Sequence, residues 1–194
     1  MRRVALLAFA GAVIPAAVLA VGVVASSPGQ SSRAKKQSAG QVSRGKYLVT
    51  IMACADCHTP HDQLGRPIAA MNLAGHPARS PLPQWDPSLL QKNAVATISP
   101  TMTAFAGPFG VSVSGNLTPD KDTGIGKLTA EGLIKSWRTG KHWRENRAVL
   151  PPMPIAKYKS LTDSDIRAIH AYLMTLKPIP NRAPQSVPAK PPAP

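Results

Sequence analysis

Acidic side chains are scarce in this chain. Nine Asp and Glu stand against 23 Lys and Arg, for a formal net charge of +14. A balance that basic excludes an acidic surface and favours acidic partners, met quickly and released by salt. Aromatic residues are few as well, three each of Trp, Tyr and Phe, so a small domain has trouble burying enough apolar surface by itself. Cysteine occurs twice, at Cys54 and Cys57, which leaves no second thiol pair for a four-thiol zinc site. His61, His76, His142 and His170 contain no H-x₃₋₅-H pair to complete one. Asp120 and Asp122 sit in a turn-rich loop but lack the EF-hand spacing and its closing glutamate. No nucleic-acid-binding motif is present.

Two segments lack charge or order. Behind Arg2 and Arg3, the run from Val4 to Ala25 carries no charge. It is about as long as a membrane span requires, and Val23-Val24-Ala25 also fits a small-residue cleavage site. Residues 1–26 therefore read as a signal peptide or a single-span anchor. Positive charge at the N-terminus places the rest on the periplasmic side in either case. Residues 27–40 read as a flexible basic tether, residues 41–180 as the folded domain, and residues 181–194 as a Pro-rich, solvated, disordered tail.

What the chain does have is Cys54-Ala55-Asp56-Cys57-His58. C-x-x-C-H is the attachment pattern of a c-type haem. Each thiol adds to one vinyl group of the ring, and the histidine that follows offers a nitrogen to the iron. A disulfide, a thioredoxin-like redox pair and half a zinc site are the competing readings of the thiols. An export signal favours the haem, which is attached outside the cytoplasm.

The surrounding periodicity is helical. Gln41 to Ala53 reads as a helix ending at the motif, with Gly45 allowing another helix to cross close by. Pro60 stops further helix. Thr129 caps a helix to about Thr139 with Gly140 past its end, and Thr162 caps a last helix from Asp163 to about Leu176. The apolar face of that last helix, with Ile166, Ile169, Leu173 and Leu176, is expected to pack on the first near Gly45. Gln63 to Gly115 is a proline-punctuated loop in which Val111-Ser-Val-Ser and Ala94 to Ile98 alternate as short strands do. It is expected to wrap the haem edge, with Trp85, Phe105 and Phe109 as anchors.

Leu150-Pro151-Pro152-Met153-Pro154 supplies a second ligand. An iron held by His58 on one face needs a donor on the other, and a thioether there keeps it six-coordinate and favours Fe(II). Three prolines stiffen the backbone around a weak, flexible ligand. Met52 lies too near Cys54 to reach the far face, Met174 reads as core, and Met71 and Met102 fall in the loop.

Helix, C-x-x-C-H, loop, helix, Pro-flanked Met, helix: from about Arg44 to Leu176 this order resembles a class I cytochrome c. Asn116-Leu-Thr-Pro-Asp, Thr123-Gly-Ile-Gly, Leu150-Pro-Pro-Met-Pro, Leu161-Thr-Asp and Ala171-Tyr-Leu resemble the cytochrome subunits of periplasmic dehydrogenases. The resemblance implies an all-α fold, one covalent haem c on Cys54 and Cys57, and His58 and Met153 as axial ligands. It also implies single-electron transfer between a dehydrogenase or quinol-oxidising donor and an oxidase, with redox proteins as partners and no small-molecule substrate. A haem-based catalytic or gas-binding protein is the alternative, and it requires a displaceable sixth ligand. Leu128 stands where relatives commonly place a Trp. Lys135, Arg138, Lys141, Arg144 and Arg147 are expected to make the surface near Met153 basic.

Overall fold

A computed structural model of the chain describes residues 38–190. The signal or anchor reading of residues 1–26, most of the tether and residues 191–194 lie outside the described residues. Among the described residues no helix is long and apolar enough to cross a membrane.

The first helix, Ala39–Ile51 (α1), begins where the Ser38 hydroxyl accepts the Gln41 N–H. Ala53 then adopts left-handed backbone, φ 54°, a conformation that costs an L-residue roughly 1–2 kcal/mol. It turns the chain so that Cys54–His58 (α2) forms a helix of its own instead of extending α1. Further on, Ala130–Thr139 (α3) is capped by Thr129 and stopped by Gly140 at φ 70°. After the short Ile155–Tyr158 (α4), Asp163–Leu173 (α5) is capped by the Thr162 hydroxyl on the Asp165 N–H.

Helix α5 crosses α1 at Gly45. A methyl group built there would lie 2.5 Å from the Ala168 carbonyl carbon and 2.8 Å from Tyr172 Cβ. Only glycine lets the two backbones come so close. Around the crossing Leu48, Val49, Ile166, Ile169 and Leu173 are buried, and Leu133 and Trp137 bring α3 onto the same core. Arg44 pairs with Asp165 across the crossing at 2.9 Å.

The all-α expectation is corrected by a four-stranded antiparallel sheet, Thr97–Ile98 (β1), Ala104–Gly107 (β2), Gly110–Val113 (β3) and Val187–Pro188 (β4), in that spatial order. Three strands come from the proline-rich stretch after the haem motif, which also holds two 3₁₀ turns, Ala69–Met71 and Pro87–Lys92. Ala106 pairs with Val111 and Gly107 with Gly110, so Pro108-Phe109 is the hairpin tip.

Within residues 181–190 the fourth strand replaces part of the expected solvated tail. Asn181 and Ser186 are buried. Asn181 donates through Nδ2 to the carbonyls of Ala74 (2.7 Å) and His76 (2.9 Å), and its Oδ1 accepts the Ala78 N–H (3.1 Å). Asn116 meets the same segment, donating to the Ile179 carbonyl at 2.8 Å. Buried backbone groups need partners, and two asparagines supply them where regular structure does not.

Candidate haem centre

His58 is oriented from behind. Its Nδ1 donates to the Gly115 carbonyl at 2.8 Å. A carbonyl only accepts, so Nδ1 carries the proton and Nε2 of the neutral ring keeps its lone pair. Burial lowers the pKa of His58, outweighing the Gly115 bond that raises it, and so favours that neutral form. Among the described residues Nε2 makes no hydrogen bond.

Gly115 is placed by a backbone clamp. Gly75 N–H donates to the His58 carbonyl at 2.7 Å, His76 N–H to Ser114 at 2.9 Å, and Leu117 N–H to Leu73 at 2.9 Å. Gly75, at φ 77°, touches Gly115 so closely that a Cβ on it would lie 2.6 Å from that carbonyl. The sequence analysis did not find Gly75 and Gly115. Their contribution is made by backbone, which no residue-type pattern signals.

Both thiols of α2 are free and partly buried. Burial pushes Cys54 up to about 11, and burial with the Asp56 charge raises Cys57. A redox pair activates its thiolate by the opposite shift, an activation these two thiols lack. Nor do three His, Cys, Asp or Glu side chains converge on a metal-binding point among the described residues.

Two of the other histidines, His76 and His170, are structural. His76 is fully buried, donating through Nε2 to the Ser80 carbonyl (3.1 Å) while Nδ1 accepts from the Thr103 hydroxyl (2.8 Å). His170 on α5 donates to the Leu128 carbonyl at 2.8 Å. Asp120 is committed too, accepting from the Thr123 hydroxyl and N–H, both at 2.7 Å, and these bonds hold its carboxyl below the usual range.

Met153 is half-buried, and its carbonyl accepts the Ile155 N–H at 2.8 Å. Helix α4 follows at once and carries Ile155 and Tyr158 onto the core that Cys54 and Ala55 also join. Burial above all pushes the Tyr158 phenol up to about 12. Its ring packs on Trp137, centroids 5.0 Å apart. Tyr158 also escaped the sequence reading; its spacing five residues after Met153 was the available signal.

The basic cluster upstream of Met153 is partly spent on the fold. Arg138 donates to the Lys159 and Leu161 carbonyls, both at 2.7 Å, and pairs with Asp163 at 2.5 Å. Arg144 donates to the Gly124 carbonyl and stacks over Trp143, 4.4 Å from its centroid. Arg147 pairs with Glu145. Lys135 and Lys141 have no acidic partner among the described residues.

Residues 42–177 match the family described as Cytochrome c. The chain belongs to the cytochrome c family. This cytochrome is 29% identical over 168 residues to the cytochrome c subunit of the alcohol dehydrogenase (quinone) of Gluconobacter oxydans, covering 85% of this chain and 28% of that subunit. It is 32% identical over 146 residues to the fructose dehydrogenase cytochrome subunit of Gluconobacter japonicus, covering 75% of this chain and 23% of the relative. A diheme cytochrome c-type protein of Cereibacter sphaeroides shares 27% over 139 residues, 72% of this chain and 37% of that protein. The chain thus spans well under half the length of these curated relatives.

Membership implies covalently bound haem c. The residues present fit that group. Two protonated, unpaired thiols share one helical turn, and the next side chain offers a nitrogen whose lone pair is kept open by a bond at the opposite side of the ring.

Proposed function

We propose that this cytochrome carries single electrons from a dehydrogenase or quinol-oxidising donor to an oxidase or another acceptor, using one haem c bound through Cys54 and Cys57. When bound, the haem supplies a one-electron Fe(II)/Fe(III) couple. His58 and Met153 would hold its iron. The observation that supports this reading is the Nδ1 bond to Gly115, which leaves Nε2 free to donate to an iron and would strengthen it as a donor. Met153 stands on a proline-stiffened turn tied to a helix whose Ile155 and Tyr158 pack on the same core as Cys54.

The relatives named as dehydrogenase subunits support a donor of that kind, with this chain as an electron-transfer subunit or a separate carrier. Its place is the periplasmic side of the inner membrane, held by residues 4–25 or freed by their removal. Twelve of the 18 Lys and Arg among the described residues lack an acidic partner, which favours acidic redox proteins. Optical spectra of the matured protein test the ligand pair. The weak iron–sulfur charge-transfer band in the oxidised form is expected and is lost in Met153→Ala, which turns high-spin. A wild-type protein already high-spin, or one whose reduced form binds carbon monoxide readily, would establish the catalytic or gas-binding alternative.

A further inference from the structure

We propose that residues 178–186, a strap lying beyond the family match that ends at residue 177, position the Gly115 carbonyl against His58 and so set how strongly that histidine donates to an iron. Asn181 is the positioning residue at the centre of the strap. This rests on the electron-carrier reading above.

The strap holds Gly115 from two directions. The Asn181 side chain donates to the carbonyls of Ala74 (2.7 Å) and His76 (2.9 Å) and accepts the Ala78 N–H (3.1 Å), so it fixes the residues on either side of Gly75. Gly75 in turn rests on Gly115: a Cβ built on it would lie 2.6 Å from both atoms of the Gly115 carbonyl. From the other direction Asn116, next to Gly115 in the chain, donates through Nδ2 to the carbonyls of Ile179 (2.8 Å) and Asn181 (3.3 Å). Further along, the Ser186 hydroxyl accepts the Val113 N–H at 2.9 Å, two residues before Gly115.

The strap is stiff as well as bonded. Pro178 and Pro180 carry no N–H and have fixed φ. The two N–H groups that residues 178–181 do have, those of Ile179 and Asn181, donate to the Thr118 and Thr123 hydroxyls at 3.1 and 3.0 Å. Asn116, Thr118 and Asn181 are all buried, so these bonds are expensive to break. The consequence falls on His58. Its Nδ1–H donates to the Gly115 carbonyl at 2.8 Å, and a firmer bond there makes Nε2 more basic. A more basic donor favours Fe(III), so slackening the strap raises the reduction potential.

The test is spectroelectrochemical titration of the full-length haem-loaded chain, in which the electrode supplies one electron to Fe(III) and gives Fe(II). Asn181→Ala is expected to shift that equilibrium roughly 3-fold toward Fe(II), about 30 mV for one electron. Thr118→Val keeps the side-chain shape, covers the case in which Asn181→Ala fails to fold, and is expected to shift the potential in the same direction. The NMR signal of the His58 Nδ1–H in the reduced, ¹⁵N-labelled protein reads the bond itself and is expected to move upfield in both variants. Ile166→Ala, in the buried core and outside all of these bonds, is expected to lose stability while keeping the wild-type potential and Nδ1–H signal. A potential unmoved in both strap variants overturns the proposal, as does an unmoved Nδ1–H signal. So does an equal shift in Ile166→Ala, which would assign the effect to lost stability. A wild-type protein with no reversible one-electron couple sinks the electron-carrier reading, and the strap's role with it.

Discussion

Replacing Gly45 by alanine inverts the usual effect of that substitution in a helix. In an open helix interior, Gly→Ala stabilises by about 1 kcal/mol. At Gly45 the new Cβ would sit 2.5 Å from the Ala168 carbonyl carbon and 2.8 Å from Tyr172 Cβ, where an ordinary van der Waals separation is about 3.5–4.0 Å. The obstacle is mainly backbone, so no rotamer relieves it and α1 must move off α5 by about an ångström. A gap of that size forfeits a quarter to a half of each dispersion contact it opens, and Leu48, Val49, Ile166 and Ile169 share the crossing. Overpacking on that scale costs about 1–3 kcal/mol, occasionally more. The expected net loss for Gly45→Ala is therefore about 2 kcal/mol, or roughly 4–8 °C in Tm for a domain of this size. Gly40 is an internal control. It lies in the same helix with nothing within 4 Å of its built Cβ, so Gly40→Ala is expected to be neutral or slightly stabilising. Guanidinium denaturation followed by far-ultraviolet circular dichroism measures both. Equal stabilisation by the two substitutions would refute the close crossing.

Asn181→Ala removes one side chain from two carbonyls and one N–H in a buried setting. Leaving such groups unpaired is expected to cost about 2–4 kcal/mol in the same denaturation assay, and no loss would mean the C-terminal segment is not clamped. Burial lowers the pKa of His76 in the folded state, against an opposing Ser80 bond, so below pH 6.5 the unfolded chain binds the extra proton. Stability is expected to fall as pH drops through 6.5 toward the folded-state value, by up to about 1.4 kcal/mol per pH unit. His76→Gln should flatten that part of the profile, and an unchanged slope would assign it to other groups.

Much of the helical frame was legible because each cue is local. Thr129 and Thr162 start helices through their own side-chain oxygens and Gly140 stops one through its backbone freedom, and Gly45 announced the crossing by its place in a helix that also carries Leu48 and Val49. Helix α5 stops at Leu173, not Leu176, yet Leu176 N–H still reaches the Leu173 carbonyl at 3.2 Å, so that end frays gradually. The sheet was not legible as a sheet. Its strands are two to four residues long, too short for alternation to fix a pairing, and β4 comes from 74 residues beyond β3. Asn181 and Gly115 act through contacts distant in sequence, and no spacing rule reaches them. The candidate site divides in the same way. The thiols and His58 form a pattern, whereas the carbonyl that orients His58 and the ring of Tyr158 become visible only in three dimensions.

The most direct test is the intact mass of the chain matured outside the cytoplasm, read beside acid–acetone extraction of its colour. The account predicts the polypeptide plus one haem, colour that stays with the protein, and loss of the second thioether in Cys57→Ser. A bare polypeptide mass, or pigment passing into the solvent, would contradict it.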